Sequence, residues 1–530
     1  MLGVCDFVSI ISQLALKSQS CQCTFERQGP SEDHQFEVHP RSLAMYLGQT
    51  KMSGLRRLQT LLRHTSKLHP WARQNLHQTM TRSSSNRLFS SRPGPALQVN
   101  PRCGLADDLL DVRASGLLPG QLVQLQAEVE SECQRFRFQS VAMFQADAKG
   151  QVIVSQHASL GGTYEGVEPM GLIWSCKPVP EVAHLYPRLK KADSRQPLKY
   201  TIKLLDRGEP ETTLLASEVI ERCYLADYVE RVKVSTGKCH GVFFFPKHKG
   251  VSDPLPVVVE LRGLGNGVLE DRASLLASHG YAVLEIDFMA SFEPTEDMSV
   301  FYFDAQAFLD LFQYIENHPR LDASRVGLFG FCTGSTLAFH GLSSLNLPVK
   351  CAVFSSMFDI LMSVVGMKMP NGKYIEPRGP LEEFTETYEK DGYTWFCCKE
   401  YESMKVVHAN KMEDYLPPVE NISVPTLFLL AEDDQYQPSK ERTLETISAM
   451  EEAGKDHLVE TFSLEGSGHL LDAPYMPICT QSSIKFPTVR YPYFTTWGGT
   501  PHLYAHSVDK AWKKVLDYYK HHLNPKETYR

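Results

Sequence analysis

Two periodicities divide this chain. From Ala96 to about Tyr224, apolar residues recur at every second position. Val123, Leu125, Ala127 and Val129 alternate with Gln124, Gln126, Glu128 and Glu130 after the turn Leu118-Pro119-Gly120. Tyr200, Ile202 and Leu204 repeat the alternation before Asp206-Arg207-Gly208. Residues 136–146, the turn Asp147-Ala148-Lys149-Gly150 and residues 151–156 predict a hairpin. Short strands closed by regular turns predict an immunoglobulin-like β-sandwich over 96–235. The run Gly161-Gly162-Thr163-Tyr164-Glu165-Gly166 lacks the Lys-Ser/Thr ending of a phosphate loop, and no strand–helix unit surrounds it. It reads as a plain loop.

From Gly241 the period changes. Apolar runs at 242–245, 257–261, 281–286, 326–329, 351–354 and 426–430 alternate with helical patterns at 269–279 and 303–317. Phe308, Leu311, Phe312 and Ile315 share one helical side, and Pro319 ends that helix. This alternation predicts a mainly parallel, doubly wound sheet over 236–530. Residues 359–418 have weak periodicity and read as an excursion over the sheet. In the last helix, 507–523, Val508, Ala511, Trp512, Val515, Leu516 and Tyr519 form a packing stripe, with His521 and His522 beside it in solvent.

A length of 530 residues exceeds what one core supports, which fits two large domains and a tail. Apolar content of 42% and charged content of 22% are ordinary for a globular enzyme, and a net charge of −8 argues against nucleic acid as a partner. Thirteen scattered cysteines, an odd number, fit the reduced thiols of an intracellular protein. Neither Cys397-Cys398 nor Cys21/Cys23 has complementary Cys or His spacing, so no metal site is assigned. No stretch reaches the ~18 apolar residues of a membrane helix.

The chemistry concentrates at Gly330-Phe331-Cys332-Thr333-Gly334, between the strand at 326–329 and a helix expected over 335–342. A Cys after a strand is more often a small core residue. Here the strand–turn–helix context is that of a nucleophile elbow, whose bend exposes the central side chain and requires small flanking residues. The helix N-terminus favours a thiolate and a developing oxyanion. A nucleophile needs a base and an orienting acid, which in an α/β-hydrolase follow in the order nucleophile, acid, base. Ala431-Glu432-Asp433-Asp434 follows the strand at 426–430; Asp434 is taken as the acid and Asp433 as a loop cap. After the strand at 459–464, Gly466-Ser467-Gly468-His469 presents His469 as the base. His502 and His506 lie beyond the last strand and are weaker candidates. The backbone N–H of Thr333 is one oxyanion donor; the second is expected at Gly265, in the loop Arg262-Gly263-Leu264-Gly265-Asn266-Gly267.

Several separate stretches carry a family resemblance. They are Gly161-Gly162-Thr163-Tyr164-Glu165-Gly166-Val167-Glu168-Pro169-Met170-Gly171-Leu172, Leu269-Glu270-x-Arg272-Ala273-Ser274-Leu275-Leu276-Ala277, Gly468-His469-x-x-x-x-Pro474-Tyr475 and Trp497-Gly498-Gly499. Over roughly 97–523 the chain resembles the acyl-CoA thioesterase/bile acid-CoA:amino acid N-acyltransferase family. The resemblance implies an N-terminal β-sandwich, a C-terminal α/β-hydrolase domain, an acyl-CoA thioester as substrate and no permanently bound cofactor. It places the triad on Cys332, Asp434 and His469. It also implies that a Ser nucleophile accompanies thioesterases and a Cys accompanies bile acid conjugation. An acyl group on sulfur stays activated and reacts with amines readily relative to an oxygen ester. Cys332 therefore favours acyl transfer to an amino acid such as glycine or taurine, with hydrolysis competing. Three readings stay open beside it: thioesterase only, a dienelactone hydrolase-like Cys hydrolase, and a non-catalytic acyl-CoA-binding protein.

Residues 1–95 read as a leader. From Met52 to Ala106 acidic residues are absent until Asp107, while nine Arg or Lys residues occur among them, including Arg56, Arg57, Arg63 and Arg73. Leu55, Leu58 and Leu62 share a helical face, and serine clusters follow. This is the composition of a mitochondrial transit segment started at Met52, and equally that of a basic linker in a cytosolic protein. The ending Glu527-Thr528-Tyr529-Arg530 is not a peroxisomal tripeptide. If the transit reading holds, N-terminal sequencing of the mature protein begins between Leu88 and Cys103; a mature start at Met1 overturns it.

Overall fold

The computed structural model describes residues 94–207, 212–247, 254–263, 268–296, 300–361, 365–377, 385–398, 415–484 and 493–524. Eight strands build its central sheet: β1 (Val229–Thr236), β2 (Cys239–Pro246), β3 (Leu255–Leu261), β4 (Ala282–Ile286), β5 (Leu321–Phe331), β6 (Cys351–Ser355), β7 (Thr426–Ala431) and β8 (Val459–Leu464). They lie in the order β1-β2-β4-β3-β5-β6-β7-β8. The β1/β2 and β2/β4 pairs are antiparallel, and every pair from β4/β3 to β7/β8 is parallel. This is the strand order of an α/β-hydrolase. β3 and β4 are buried along their whole length, as a sheet covered on both faces requires.

The covering helices are α1 (Asp271–Ser278), α2 (Gln306–Asn317), α3 (Thr333–Ser344), α4 (Ser439–Glu452) and α5 (Pro501–Leu523). Side chains of α1 and α5 join one apolar core and those of α2, α3 and α4 join the other. The sheet alternation explains this: Val257 and Val259 of β3 face the second core, while Val258 faces the first.

The N-terminal part forms two sheets. Six strands follow the order Cys103–Leu105, Thr213–Cys223, Leu198–Asp206, Leu122–Glu130, Arg137–Gln145, Lys177–Pro178, and three follow Ala96–Asn100, Asp111–Ser115, Val152–Ile153. Val123, Leu125, Ala127 and Val129 are all buried, as their alternation predicts. Their core is continuous with the α1/α5 face of the central sheet.

Three expectations change. The hairpin at 136–156 does not form, because Val152–Ile153 pairs with Asp111–Ser115 rather than with Arg137–Gln145. The turn itself exists, held by the N–H groups of Lys149 and Gln151 on Asp147 Oδ1, but Leu117 N–H on the Gly150 carbonyl carries the chain across to the other sheet. Val229–Thr236, left largely on the sandwich side of position 235/236, is instead the edge strand β1 of the central sheet. The last helix starts one and a half turns earlier, at Pro501, where a proline needs no hydrogen-bond acceptor. Within 359–418, Val365–Lys368 and Tyr374–Ile375 belong to a four-stranded sheet with Phe292–Pro294 and Phe301–Asp304, and Thr385–Lys390 and Tyr393–Cys398 form a hairpin; the rest lies largely outside the described residues.

Beneath the sheet's C-terminal end lies a buried ionic network. Arg272 of α1 donates from Nε to Glu260 Oε1 at 2.8 Å and from Nη1 to the Leu471 carbonyl at 2.7 Å. Its guanidinium covers the Phe329 ring at 4.4 Å. Arg262 pairs with Asp271, whose other oxygen accepts from Ala473 N–H at 3.1 Å. Glu285 stands in register with Glu260 on the adjacent strand, and burial, with Glu260 beside it, raises its carboxyl well above the usual range. We expect Arg272→Leu to remove the nearer of the two guanidinium partners of Glu260, leaving Arg262 at 3.8 Å, and to cost about 3–5 kcal/mol in urea unfolding; a loss below about 1 kcal/mol would mean that the Arg272–Glu260 pair contributes little net stability.

Candidate active site

The strand β5 ends at Phe331, and α3 begins at Thr333. Cys332 between them has φ 54° and ψ −130°, a conformation L residues rarely adopt. Its neighbours show why glycine brackets it. A Cβ on Gly330 would stand 2.6 Å from Ser335 Cα, and one on Gly334 would stand 2.3 Å from the Leu261 carbonyl oxygen. The bend is held by Cys332 N–H on the Ser355 carbonyl at 3.1 Å and by Ser335 Oγ on the same carbonyl at 2.9 Å. As the first residue of α3, Thr333 has no acceptor for its N–H within the helix, which leaves that donor at the positive end of the helix dipole beside the thiol.

Asp434 and His469 meet across 35 residues of chain: His469 Nδ1 lies 2.8 Å from Asp434 Oδ2, with both side chains buried. Asp434 also accepts from Tyr436 N–H at 3.0 Å, Gln437 N–H at 3.1 Å and Ser439 Oγ at 2.5 Å. These bonds fix the carboxylate as an acceptor aimed at the ring. The Cys332 side chain is near enough to the His469 ring to help raise its pKa. With Nδ1 taken by the carboxylate, Nε2 is the ring nitrogen left to face sulfur. Cys332, Asp434 and His469 are therefore brought together.

The imidazole is enclosed. Trp497 stacks on it at 5.6 Å between centroids, and Tyr436 and Phe331 approach at 4.7 and 5.4 Å. His469 N–H bonds the Trp497 carbonyl at 2.8 Å, and its own carbonyl accepts from Ser356 Oγ at 2.7 Å. Asp433 does not reach the ring; its Oδ2 accepts from Gly499 N–H at 2.8 Å and holds the Trp497-Gly498-Gly499 turn in place. Gly265 lies outside the described residues. Two positions before it, Gly263 is described: a Cβ there would stand 3.1 Å from Cys332 Cβ and 3.3 Å from its sulfur. Arg262 does not line that loop in solvent but is 3% exposed, within the ionic network.

Sequence reasoning missed Gly263, Tyr436 and the Trp497 ring. The repeated glycines of 263–267 and the Trp-Gly-Gly run signal the first and the last, and no run signals Tyr436. His502 and His506 sit on α5 against Glu168, not at the thiol.

Burial alone would lower the His469 pKa; the Asp434 carboxylate and the Cys332 side chain override it and hold the ring up to about 10. The imidazolium is thus the form kept at neutral pH.

Two family models match the chain: "Acyl-CoA thioester hydrolase/BAAT N-terminal region" over residues 107–236 and "BAAT / Acyl-CoA thioester hydrolase C terminal" over residues 302–525. Bile acid-CoA:amino acid N-acyltransferase of Mus musculus is 30% identical over 439 residues, covering 81% of this chain and 98% of that protein. Its Homo sapiens counterpart is 29% identical, covering 82% and 99%. Acyl-coenzyme A thioesterase 2, mitochondrial, of Homo sapiens is 28% identical, covering 79% and 83%.

The raised His469 value has a consequence for stability. Between the ordinary 6.5 and about 10 the native ring holds a proton that the unfolded ring has lost. Its contribution is complete below about pH 6.5 and disappears as pH rises through about 10. The urea midpoint of the wild-type chain should fall across this window, and His469→Gln should flatten the fall; equal slopes would contradict the imidazolium assignment.

Proposed function

Since this chain belongs to the acyl-CoA thioesterase/bile acid-CoA:amino acid N-acyltransferase family, we propose that it is an acyl-CoA-dependent enzyme that moves the acyl group onto sulfur before passing it on. Cys332 is the nucleophile, His469 the base and acid, and Asp434 the group that orients and charges the ring. The observation that carries this reading is the Nδ1–Oδ2 contact of 2.8 Å between His469 and Asp434, with Cys332 at the strained bend on the ring's other side.

The Cys332 thiolate attacks the thioester carbonyl, forming a carbon–sulfur bond and an oxyanion. Thr333 N–H at the start of α3 donates to that oxyanion, with the second donor in the 262–267 loop. The bond to the coenzyme sulfur breaks, and the His469 imidazolium gives its proton to the departing thiolate. One thioester has replaced another, so the step is close to thermoneutral. In the second half an amine attacks the acyl-enzyme, His469 takes its proton, and the Cys332 thiolate leaves. Water in place of the amine gives the free acid. Cys332 and the relatives named for N-acyl transfer favour the amine, and glycine or taurine with a bile acid or fatty acyl group is the pairing we infer.

We read residues 96–235 as an immunoglobulin-like sandwich that acts as a scaffold. Arg188 pairs with Asp472, Tyr224 OH meets Met476 Sδ at 2.7 Å, and Ile478 N–H bonds the Trp174 carbonyl at 2.9 Å. All three contacts grip the segment that follows His469. The basic stretch from Met52 serves as a mitochondrial address in this reading. Among the described residues no helix is long and apolar enough to cross a membrane.

Choloyl-CoA and palmitoyl-CoA, each with and without glycine or taurine, test the assignment. Amide product is expected, and Cys332→Ala should lose about 10⁴-fold or more of either turnover. Cys332→Ser should fold and shift product towards free acid. An unchanged amide-to-acid ratio would sink the thioester argument, and turnover surviving Cys332→Ala would sink the nucleophile.

A further inference from the structure

The first two turns of α5 carry His502 and His506, four residues apart and hence on one face. Both present Nε2 to the same atom, Glu168 Oε1, at 2.8 and 3.0 Å. The three donor atoms lie within 4.8 Å of one another, the one such group of His, Cys, Asp or Glu among the described residues. Glu168 is 334 residues distant from His502, in the N-terminal part.

Four features separate this cluster from an ordinary surface ion pair. The Glu168 side chain is only 9% exposed, and its ion pairs among the described residues are with these two rings, neither Lys nor Arg. A buried carboxylate needs a cation or a full set of donors. The rings are 51% and 45% exposed, so an ion could enter and keep a position open to water. The Tyr164 hydroxyl, in the same N-terminal loop four residues before Glu168, is buried without a hydrogen-bond partner. Finally, a tetrahedral ion ~2.1 Å from each ligand would separate the donors by ~3.4 Å, within side-chain adjustment of the spacing here.

We propose that Glu168, His502 and His506 form a three-ligand site for a borderline divalent cation, Zn²⁺ foremost, that clamps α5 to the Glu168 loop. Two imidazoles and one carboxylate suit Zn²⁺ rather than Ca²⁺ or Mg²⁺, which take oxygen ligands. The clamp bears on the active site through α5. Thr500 N–H bonds the Gly466 carbonyl at 2.8 Å, Ser507 Oγ bonds the Glu465 carbonyl at 2.7 Å, and Tyr504 OH bonds the Leu470 carbonyl. These contacts bracket His469. The site stands apart from the thiol chemistry and does not depend on the catalytic assignment.

The test uses the full chain after chelator treatment, titrated with Co²⁺ and then Zn²⁺. One Co²⁺ per chain is expected, with the visible absorption of a four- or five-coordinate ion, displaced by Zn²⁺. His502→Ala, His506→Ala and Glu168→Gln should each weaken Zn²⁺ binding by more than about tenfold, and the two His variants should unfold like wild type without metal. In wild type, Zn²⁺ should protect both histidines from diethylpyrocarbonate, a readout that needs no variant. Stoichiometric binding that survives both His substitutions, absence of Co²⁺ binding, or modification of His502 and His506 unaffected by Zn²⁺ would each overturn the site.

Discussion

Everything at the active site depends on one backbone conformation, the positive φ of Cys332 between β5 and α3. Such a residue costs ~1–3 kcal/mol and persists only where its surroundings over-determine it. Here they do so from three sides. Gly330 lets Ser335 close on the turn, Gly334 lets α3 press against the end of β3, and the Ser355 carbonyl of the adjacent strand takes the Cys332 N–H. A side chain at either glycine would push the helix away and relax the bend. The same packing keeps Cys332 only 7% exposed and leaves the first N–H groups of α3 beside it, so strain and electrostatics come from one arrangement.

His469, the proposed base, is positioned by a different principle. His469 lies on a loop after β8, and loops carry little rigidity of their own. Its order comes from the groups around it: Trp497 stacks on the ring, the Trp497 and Ser356 contacts hold its backbone, and Asp433 ties down the Trp497 turn. The residues after it are anchored in the ionic network through Leu471 and Ala473. The N-terminal sheets and α5 then close over that segment.

The buried charges fit the same logic. Arg272 and Arg262 are shared among Glu260, Asp271, the Leu471 carbonyl and Asp472, while burial and the neighbouring Glu260 raise the Glu285 carboxyl well above its usual range. An apolar core of equal volume could match this network in stability but could not orient a loop through directional bonds.

The strand–Cys332–helix bend, the succession of Cys332, Asp434 and His469 along the chain, and the alternation of the buried strands were legible in the sequence because each is a local pattern. A glycine two residues from a cysteine, or Val123 two residues from Leu125, is constrained by geometry that sequence spacing preserves. The choice of Asp434 over Asp433 was also local, a matter of position after β7. Other features have no local signature. Whether Val152–Ile153 turns back onto its neighbour or crosses to the second sheet depends on a carbonyl at Gly150 meeting Leu117. That Gly263 packs on the sulfur, and that Glu168 meets His502 and His506 on a helix more than three hundred residues away, follows from which elements the topology lays side by side. Periodicity records which face of an element is buried, whereas only the assembled sheet decides what that face is buried against.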